Sequence, residues 1–517
     1  MATRAKSSDG LEALRSALGA ALAVDAESLR LAGQDVFTEG PLPVAVFRPD
    51  SVEALAAGVA AATGLGHSLV PRGGGMSYTS GYVAGAPGHL AVDLARLDRI
   101  VSIDPEDRRV TVEAGCTWAS LHAALKPLGL RVPAWGTLSG IRATVGGGMS
   151  QNGVFWGARG GPIAGSALGF DVVLADGRIL STNRFPIRGI GPDLTGLFAA
   201  DCGALGIKAR ITLPLVPEAE ALAYASFSFA RAEGFLKALA DLGRAGTASE
   251  VFGFDPFLQA QRMKRDSLAA DAKALIGTMK AQGGFWKGLA EGARVAAAGR
   301  NFLEEGSFSL HAICEGRSAA AAEADADAVR AICRAAGGTE VENSIPKVLR
   351  ANPFPPVNSM LGPSGERWVP VHGILRASAA QSAYAAIEAL HARHAQAMAD
   401  LGVTTGALFL ALGPAAVLIE PVYYWPDSWQ AIHRQSVEPA HLARLTEAAA
   451  NPPARALVER LRAELIELFG RFGAGHFQLG RAYPLAGRLD PAALTLLRAL
   501  KASLDPQGRM NPGVLGL

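Results

Sequence analysis

The chain has 517 residues, 49% of them hydrophobic and 19% charged, with a formal net charge of +2. That length suits roughly two to four domains, each with its own core, and the balance excludes a disordered chain. No block of like charge and no Lys/Arg stripe is present, which excludes nucleic acid as the main partner.

The first residues, MATRAKSSDGLEALRSALGAALAV, carry an apolar stripe broken by Glu12 and Arg15. That spacing predicts an amphipathic helix, not a signal peptide. No run of about 20 apolar residues follows, so no membrane span is expected, and the expected location is the cytoplasm. LPVAVFRPD reads as a short strand and turn, after which Asp50 or Ser51 caps a helix, SVEALAAGVAAATG, that stops at Gly64. HSLV leads into PRGGGMS, HLAVDL is a strand, and VSIDPEDRRVTVEAG is two strands around an Asp-Pro turn. Thr117 caps the helix WASLHAALKPLG. A Gly-rich tract runs from Gly136 to Gly165, and LGFDVVLADGRILST is a hairpin whose Asp176-Gly177 pair suits a type I′ turn. DLTGLFAA is a short helix, and GIKARITLPLVP is a strand ended by proline.

Near Pro217 the composition changes. Glycine clusters thin out, and Ala/Leu/Glu helices alternate with the strands YASFSFA, FSLHAICE, WVPVHGILR, GALFLAL and AVLIEPVYYW. Single strands separated by helices predict an α+β layer with helices on one side of a sheet. A helical tract spans 427–470, and the chain closes with LKASLDPQGRMNPG. Four cysteines, Cys116, Cys202, Cys314 and Cys333, stand far apart without a C-x-x-C pair, against a zinc knuckle or a disulfide framework.

Three glycine turns carry the chemistry. In Arg72-Gly73-Gly74-Gly75-Met76-Ser77, entered through Pro71, consecutive glycines let several amides converge on one point and form an anion nest suited to a diphosphate. A second cluster is ATVGGGMSQNG from Ala143, followed by Gly157, Gly160 and Gly161, and a third is Asp201-Cys202-Gly203-Ala204-Leu205-Gly206-Ile207. Glycines so placed let a large flat ligand lie against main chain. None of them opens a βαβ unit as a Rossmann G-x-G-x-x-G does.

The ordered set PRGGGMS, DLARLDRI, VEAGCTW, ATVGGGMSQNG, GFDVVLADGRIL and DLTGLFAADCGALGI, with LDPQGRMNPG at the end, resembles the vanillyl-alcohol oxidase and p-cresol methylhydroxylase superfamily of FAD proteins. The resemblance is best over residues 40–217. It includes D-lactate dehydrogenases, the glycolate oxidase flavin subunit and alkyl-dihydroxyacetonephosphate synthase. It implies an α+β fold: a two-subdomain FAD-binding domain of the p-cresol methylhydroxylase type over 41–217, after an N-terminal helical segment at 1–40. An α+β cap domain with an antiparallel sheet would follow over 218–470, and a segment over 471–517 would return to the FAD domain. It further implies that the amides of Arg72 to Ser77 hold the diphosphate. Thr144, Gly147, Gly148 and Ser150 would line flavin and diphosphate, Gly161 and Ile163 would lie near the ring system, Gly206 and Ile207 would meet the adenosine half, and Asn511 would reach the flavin from the tail.

Departures from the pattern narrow the expectation. Members that tether FAD use a histidine in the first glycine turn or in the cap; Met76 stands in the turn and GALFLALGPAAVLIEP has no histidine, which implies non-covalent FAD. The family's metal motif is missing, so no metal site is expected. Where 2-hydroxy-acid enzymes carry Glu-His-Gly, this chain has GAGHFQLGR, and where phenol oxidisers carry Tyr-Arg it has Phe477-Gln478.

Flavin hydride chemistry asks the protein to position a C–H bond, remove a hydroxyl proton and hold any anion. Histidine suits the base and arginine the anion anchor. The catalytic candidates are His476, His372, Arg481 and Tyr483, with His311 and Arg376 behind them. A lone histidine on an apolar strand is more often a satisfied core group. Tyr423, Tyr424 and Trp425 form an aromatic cluster that is either sheet core or an apolar substrate wall. Glu420 in that apolar strand is costly to bury unpaired, so it pairs or functions. The expected function is transfer of a hydride from a C–H(OH) or benzylic carbon of a 2-hydroxy acid or an aromatic alcohol or phenol to FAD, then to an external acceptor. The acceptor stays open among a quinone, a cytochrome, an electron-transfer flavoprotein and dioxygen, and the oligomeric state is open with a homodimer among the possibilities. The competing readings are a non-redox flavin transferase like the ether-lipid synthase and a flavin-binding subunit of a larger oxidase.

Overall fold

A computed structural model describes residues 2–263 and 306–517. The expected helices between 264 and 305 lie outside the described residues. The N-terminal helix Ala2–Leu18 leads to β1 (Leu22–Ala23), which pairs antiparallel with β2 (Ala45–Phe47). Ser51 caps helix Val52–Gly64 by accepting from the Ala54 amide. β3 (Leu69–Arg72) and β4 (Leu90–Asp93) complete a small sheet in the order β1-β2-β4-β3, its last three strands parallel and apolar on both faces.

A second, antiparallel sheet follows: β5 (Ile100–Asp104), β6 (Arg109–Glu113), β8 (Gly169–Val173), β9 (Ile179–Ser181) and β10 (Ile207–Pro214), in the order β5-β6-β10-β8-β9. Between β6 and β8, Thr117 caps helix Trp118–Leu125 as expected, and β7 is Leu130–Arg131. The hairpin β8–β9 forms, but only Gly177 of its turn has positive φ (83°). A type I′ turn needs two such residues, so that expectation is corrected; Asp176 instead accepts from the Arg178 amide. β11 (Val216–Pro217) returns to pair with β7, closing the half of the chain that holds the glycine turns.

From Ala221 onward the described residues build an eight-stranded antiparallel sheet. Its strands are β12 (Ala221–Phe229), β13 (Glu250–Phe254), β14 (Phe308–Gly316), β15 (Thr339–Val341), β16 (Arg367–Pro370), β17 (Gly373–Arg376), β18 (Thr404–Leu412) and β19 (Ala416–Trp425). The order is β15-β12-β14-β13-β18-β19-β16, with β17 also on β19. Helices Ala232–Ala245, Ala319–Ala335, Ala380–Arg393 and Pro452–Arg471 pack on it and bury Phe227, Phe409, Ile419 and Tyr423 in a common core. WVPVHGILR is two strands, not one. Pro370 and Pro421 have no N–H to give the ladder, so it breaks between Pro370 and Gly373 although both sides keep the same register on β19. The expected helical tract over 427–470 is likewise broken, by Pro439 and by Pro452, where Asn451 caps the long helix.

After that helix the chain turns back. Gly475 bridges Ile374 of β17, and Met510 bridges Leu69 of β3. The tail therefore touches both halves and brackets the cleft between them.

Candidate active site

The cleft begins where β3 ends. Beyond Arg72 the main chain makes the turn Gly73–Ser77, and among the described residues no protein acceptor receives a hydrogen bond from its amides. The turn is held rigidly from behind. The Arg72 guanidinium donates to the Leu31 and Gln34 carbonyls. The Ser77 carbonyl accepts from the Val36 amide at 3.2 Å and the Tyr82 hydroxyl at 3.0 Å. Buried Asp35 accepts from the amides of Phe37, Thr38 and Ser80. A set of unpaired, convergent amides on a braced turn fits an anionic diphosphate.

The second turn packs against the first, backbone on backbone. A Cβ on Gly74 would lie 1.8 Å from the Arg142 carbonyl oxygen, and one on Gly73 would lie 2.4 Å from Thr144 Oγ1. Thr144 caps helix Val145–Gln151, accepting from the Gly147 amide at 3.1 Å. The Val145 and Gly146 amides donate to Cys116 and Ala114 carbonyls, so this helix spends its first amides on the protein. In the third turn Asp201 accepts from the Gly203 amide and from Lys208 Nζ at 2.5 Å, a pair with both side chains 1% exposed. Burial pushes the Cys202 thiol up to about 12, as for a packed residue and not a reactive one.

Together the three turns wall a cleft lined by Arg72 to Ser77, by Thr144, Gly147, Gly148 and Ser150, and by Gly206, Ile207 and Lys208. Met76, Thr137, Ser139 and Gln478 line both this cleft and a second cavity of about 190 Å³ beneath the large sheet. That cavity is built by strand alternation. Leu418, Glu420, Val422 and Tyr424 of β19 face it, while Val417, Ile419, Tyr423 and Trp425 face the helices. The ladder sets Leu408 opposite Glu420 and Trp368 opposite Tyr424, and both partners line the cavity too. Tyr78, Phe155 and Phe477 complete an aromatic wall.

The FAD-binding domain model matches residues 43–183, and the C-terminal domain model of FAD-linked oxidases matches residues 440–515. Residues 43–183 thus resemble an FAD-binding domain and residues 440–515 the C-terminal domain of FAD-linked oxidases. The chain's cofactor is FAD, and the braced turn and glycine-walled cleft fit that group. A probable mitochondrial D-lactate dehydrogenase of Danio rerio is 35% identical over 197 residues, which is 36% of this chain and 38% of that one. The glycolate oxidase subunit GlcD of Bacillus subtilis is 32% identical over 154 residues, 29% of this chain and 32% of that one. The chain thus matches about a third of the length of these relatives. Among solved structures, p-cresol methylhydroxylase with substrate bound superposes with a TM-score of 0.72 at 17% identity, covering 99% of this chain and 97% of that one. Alkyldihydroxyacetonephosphate synthase gives 0.68 at 13% identity, covering 98% and 84%. These likenesses show the fold.

Three of the four catalytic candidates, His372, His476 and Tyr483, sit side by side, and all four lie outside the lining of the cleft and the cavity. The His372 ring stacks on Phe477 at 3.6 Å, fully buried, and neither ring nitrogen has a partner among the described residues. Burial, then the charge of His476, holds it well below the ordinary histidine value. The Tyr483 hydroxyl accepts from the His372 amide at 3.1 Å. His476 stacks on Tyr483 at 4.1 Å, with Nδ1 2.7 Å from the His372 carbonyl and Nε2 2.6 Å from Arg488. Burial lowers its pKa to about 4. Arg481 donates to the carbonyls of Ser80, Val83 and Pro512 and to Asn511 Oδ1, and Asn511 in turn donates to the Gly81 and Cys202 carbonyls. These residues clamp the tail to the glycine turns, and none of them is in the lining of the cleft or the cavity.

Gly161, at φ 94°, and Ile163, packed under Gly148 and Gly153, are also outside the lining. His311 is a core group against Ser226, and Arg376 is exposed at the end of its strand. Lys208, Gln478, Thr137, Ser139 and Gln151 line the cleft without having been singled out. Only Gln478 carried a signal, as the residue standing where relatives place an arginine. All four cysteines are free, no metal-ligating cluster exists among the described residues, and no described helix is long and apolar enough to cross a membrane.

Proposed function

We propose that this chain is a FAD-dependent oxidoreductase that takes a hydride from a C–H(OH) or benzylic carbon of a small organic substrate and passes the electrons to an external acceptor. The observation that carries the reading is the continuity of the two spaces: Met76, Thr137, Ser139 and Gln478 belong to both the glycine-walled cleft and the apolar cavity. A substrate in the cavity then lies at the edge of whatever fills the cleft. Bound FAD supplies the two-electron acceptor. The protein's part is positional. Amides of Gly73 to Ser77 hold the diphosphate, the β19 and β18 side chains exclude water, and Thr137, Ser139 and Gln478 offer hydrogen bonds at the junction. Cleft and cavity contain no histidine among their described lining residues, which supports non-covalent FAD.

A transferase reading is less well supported. A phosphate-bearing substrate needs a cation, and the described lining of the cavity holds no arginine or lysine. The test is anaerobic mixing of the purified yellow protein with a panel of benzylic alcohols, 4-alkylphenols and 2-hydroxy acids. Bleaching of the flavin band by at least one of them is expected. A flavin that stays oxidised throughout, while dithionite still reduces it, would remove the oxidoreductase reading. Electron delivery from the bleached protein to a quinone analogue, cytochrome c or dioxygen then identifies the class of acceptor.

A further inference from the structure

The long helix Pro452–Arg471 buries Leu457, Leu461, Leu465 and Phe469 in the core of the large sheet. Its flank, with Ala463, Ile466 and Gly470, is one wall of an open groove of about 860 Å³. The returning tail is the other wall, through Ala482, Pro484 and Gly487, and Phe37 lies between them. No residue of this groove lines the flavin cleft or the cavity beneath the sheet. Two arginines in the groove lack an acidic partner. Arg462 is only 8% exposed; it donates from Nη2 to the Tyr78 carbonyl at 2.8 Å, lies over the Phe37 ring at 4.8 Å, and leaves Nε without a partner. Arg488 donates to the Ala474 and Ile466 carbonyls and to His476 Nε2. Burial holds His476 near 4, so that ring is neutral at neutral pH. Among the described residues, no carboxylate oxygen lies within 4.0 Å of either guanidinium. Asp35 feels the charge of Arg462, but its oxygens accept from three main-chain amides. The groove's own acids, Glu459 and Glu467, stand on the exposed side of the helix, where water screens them, and Glu467 is 3.9 Å from Arg471.

We propose that this groove is a binding site for an alkyl carboxylate, with its head on Arg462 and Arg488 and its chain along Phe37, Ile466, Ala482 and Pro484. The physical basis is the unpaired cation in an apolar setting. A guanidinium has five N–H donors, and Arg462 spends one of them on the protein. A carboxylate supplies charge-assisted acceptors, and the attraction is strong because Arg462 is held out of water. The alkyl chain covers the apolar wall and leaves water in doing so. A bare hydrocarbon would leave the guanidinium unpaired, and an alkyl cation would meet like charge. Arg462 also ties the groove to the other side of the helix, since the Tyr78 carbonyl it holds belongs to a residue whose ring walls the cavity. The carboxylate is thus a second ligand, bound apart from the flavin cleft and the cavity.

Octanoate and octylammonium share the chain and differ in the sign of the head. Each is titrated by calorimetry into the FAD-loaded full chain at neutral pH, below micelle formation. The expected result is a single octanoate site per chain, with a dissociation constant at least about tenfold lower than for octylammonium. Ala463→Glu puts a carboxylate in the groove wall at an exposed position of the helix. It is expected to weaken octanoate at least about fivefold without loss of FAD, which locates the site, because a ligand in the cavity would not feel it. Arg462→Met is expected to bring the two probes within about threefold of each other. Octylammonium binding as tightly as octanoate, octanoate binding too weak to detect, or octanoate binding unchanged in Ala463→Glu each overturns the proposal, and none of these depends on Arg462→Met folding. A folded Arg462→Met chain that keeps the tenfold preference overturns it as well, because the anchor would then lie elsewhere.

Discussion

Gly74 shows how a residue without a side chain can decide a binding site. The Arg142 carbonyl fills the space a Cβ would take, so a methyl group there must push the first glycine turn away from the second. We expect Gly74→Ala to cost about 1–3 kcal/mol of stability and to lower FAD content sharply, read as the ratio of flavin to protein absorbance. The sequence signalled this turn by its three consecutive glycines. It did not signal that the cause at Gly74 is protein packing in addition to ligand approach, because the partner lies about 70 residues further along the chain. The histidines show the opposite failure. His476 and His372 are adjacent to the returning tail as their positions suggested, yet their rings are stacked behind Phe477 and Tyr483. Which face of a loop a ring takes is set by tertiary packing and leaves no local pattern. His476→Ala is therefore expected to alter flavin reduction by less than about threefold at neutral pH, well short of the loss typical of a general base. Stopped-flow reduction of the variant checks this, and a loss of two orders of magnitude would put the ring back in the site.

Strands were more legible than single residues. The alternation in AVLIEPVYYW separates Tyr423 and Trp425, which face the helices, from Glu420 and Tyr424, which face the cavity. Period two was readable in the sequence; which face held the substrate was not, since both are largely apolar. The break at His372 and the interrupted tract over 427–470 were marked by prolines whose missing N–H groups decide the outcome. β13 carries a further consequence. Its Glu250 is buried and accepts from the Gly157 amide at 2.8 Å and the Ala158 amide at 3.3 Å, joining the large sheet to the loop that leads to Gly161. Burial raises its pKa to about 8 despite those bonds and the nearby charge of Arg350. The folded chain thus holds a proton that the unfolded chain releases near 4.5. Its stabilising effect is complete below that value and is lost as pH rises through about 8. Above about pH 6.5, where the histidines no longer contribute, melting temperature is expected to fall up to about pH 8, and to fall less in Glu250→Gln, which keeps the acceptor oxygen without the ionisation. Asp255, raised by burial to about 7, leaves a residual slope in the variant.

At the scale of the molecule, two halves are joined by a charged seam. Arg131, on β7 of the flavin half, and Arg350, beyond β15, both engage Glu218 and Glu315, and Arg350 lies over the Trp135 ring at 4.6 Å. The Arg350 side chain is 4% exposed. Replacing it with methionine leaves two acids sharing one arginine and should cost about 3 kcal/mol in urea denaturation, with easier loss of FAD. A fall of a few tenths would mean that the seam is ornamental to stability. Histidines held wholly or partly out of solvent set the acid limit. His89, His122, His391 and His476 are lowered to about 4 and His433 to about 3, in each case chiefly by burial. Because the unfolded chain takes up their protons first, stability is expected to drop as pH falls from about 6.5 towards 4.

The flavin half and its ordered turns were evident in the sequence because each turn is local. The eight-stranded sheet was evident as strands, but its order, which brings β18 and β19 over the glycine turns, depends on pairings between distant segments. The function proposed for this chain requires that the Gly73–Ser77 turn hold FAD without a covalent bond. The decisive measurement is a titration of the deflavinated full-length chain with FAD, followed by acid precipitation. The account predicts uptake of one FAD per chain, recovery of the whole flavin in the acid supernatant, and binding at least about tenfold weaker in Gly74→Ala. A chain that takes up no FAD, or a flavin that stays on the precipitated polypeptide, would contradict it.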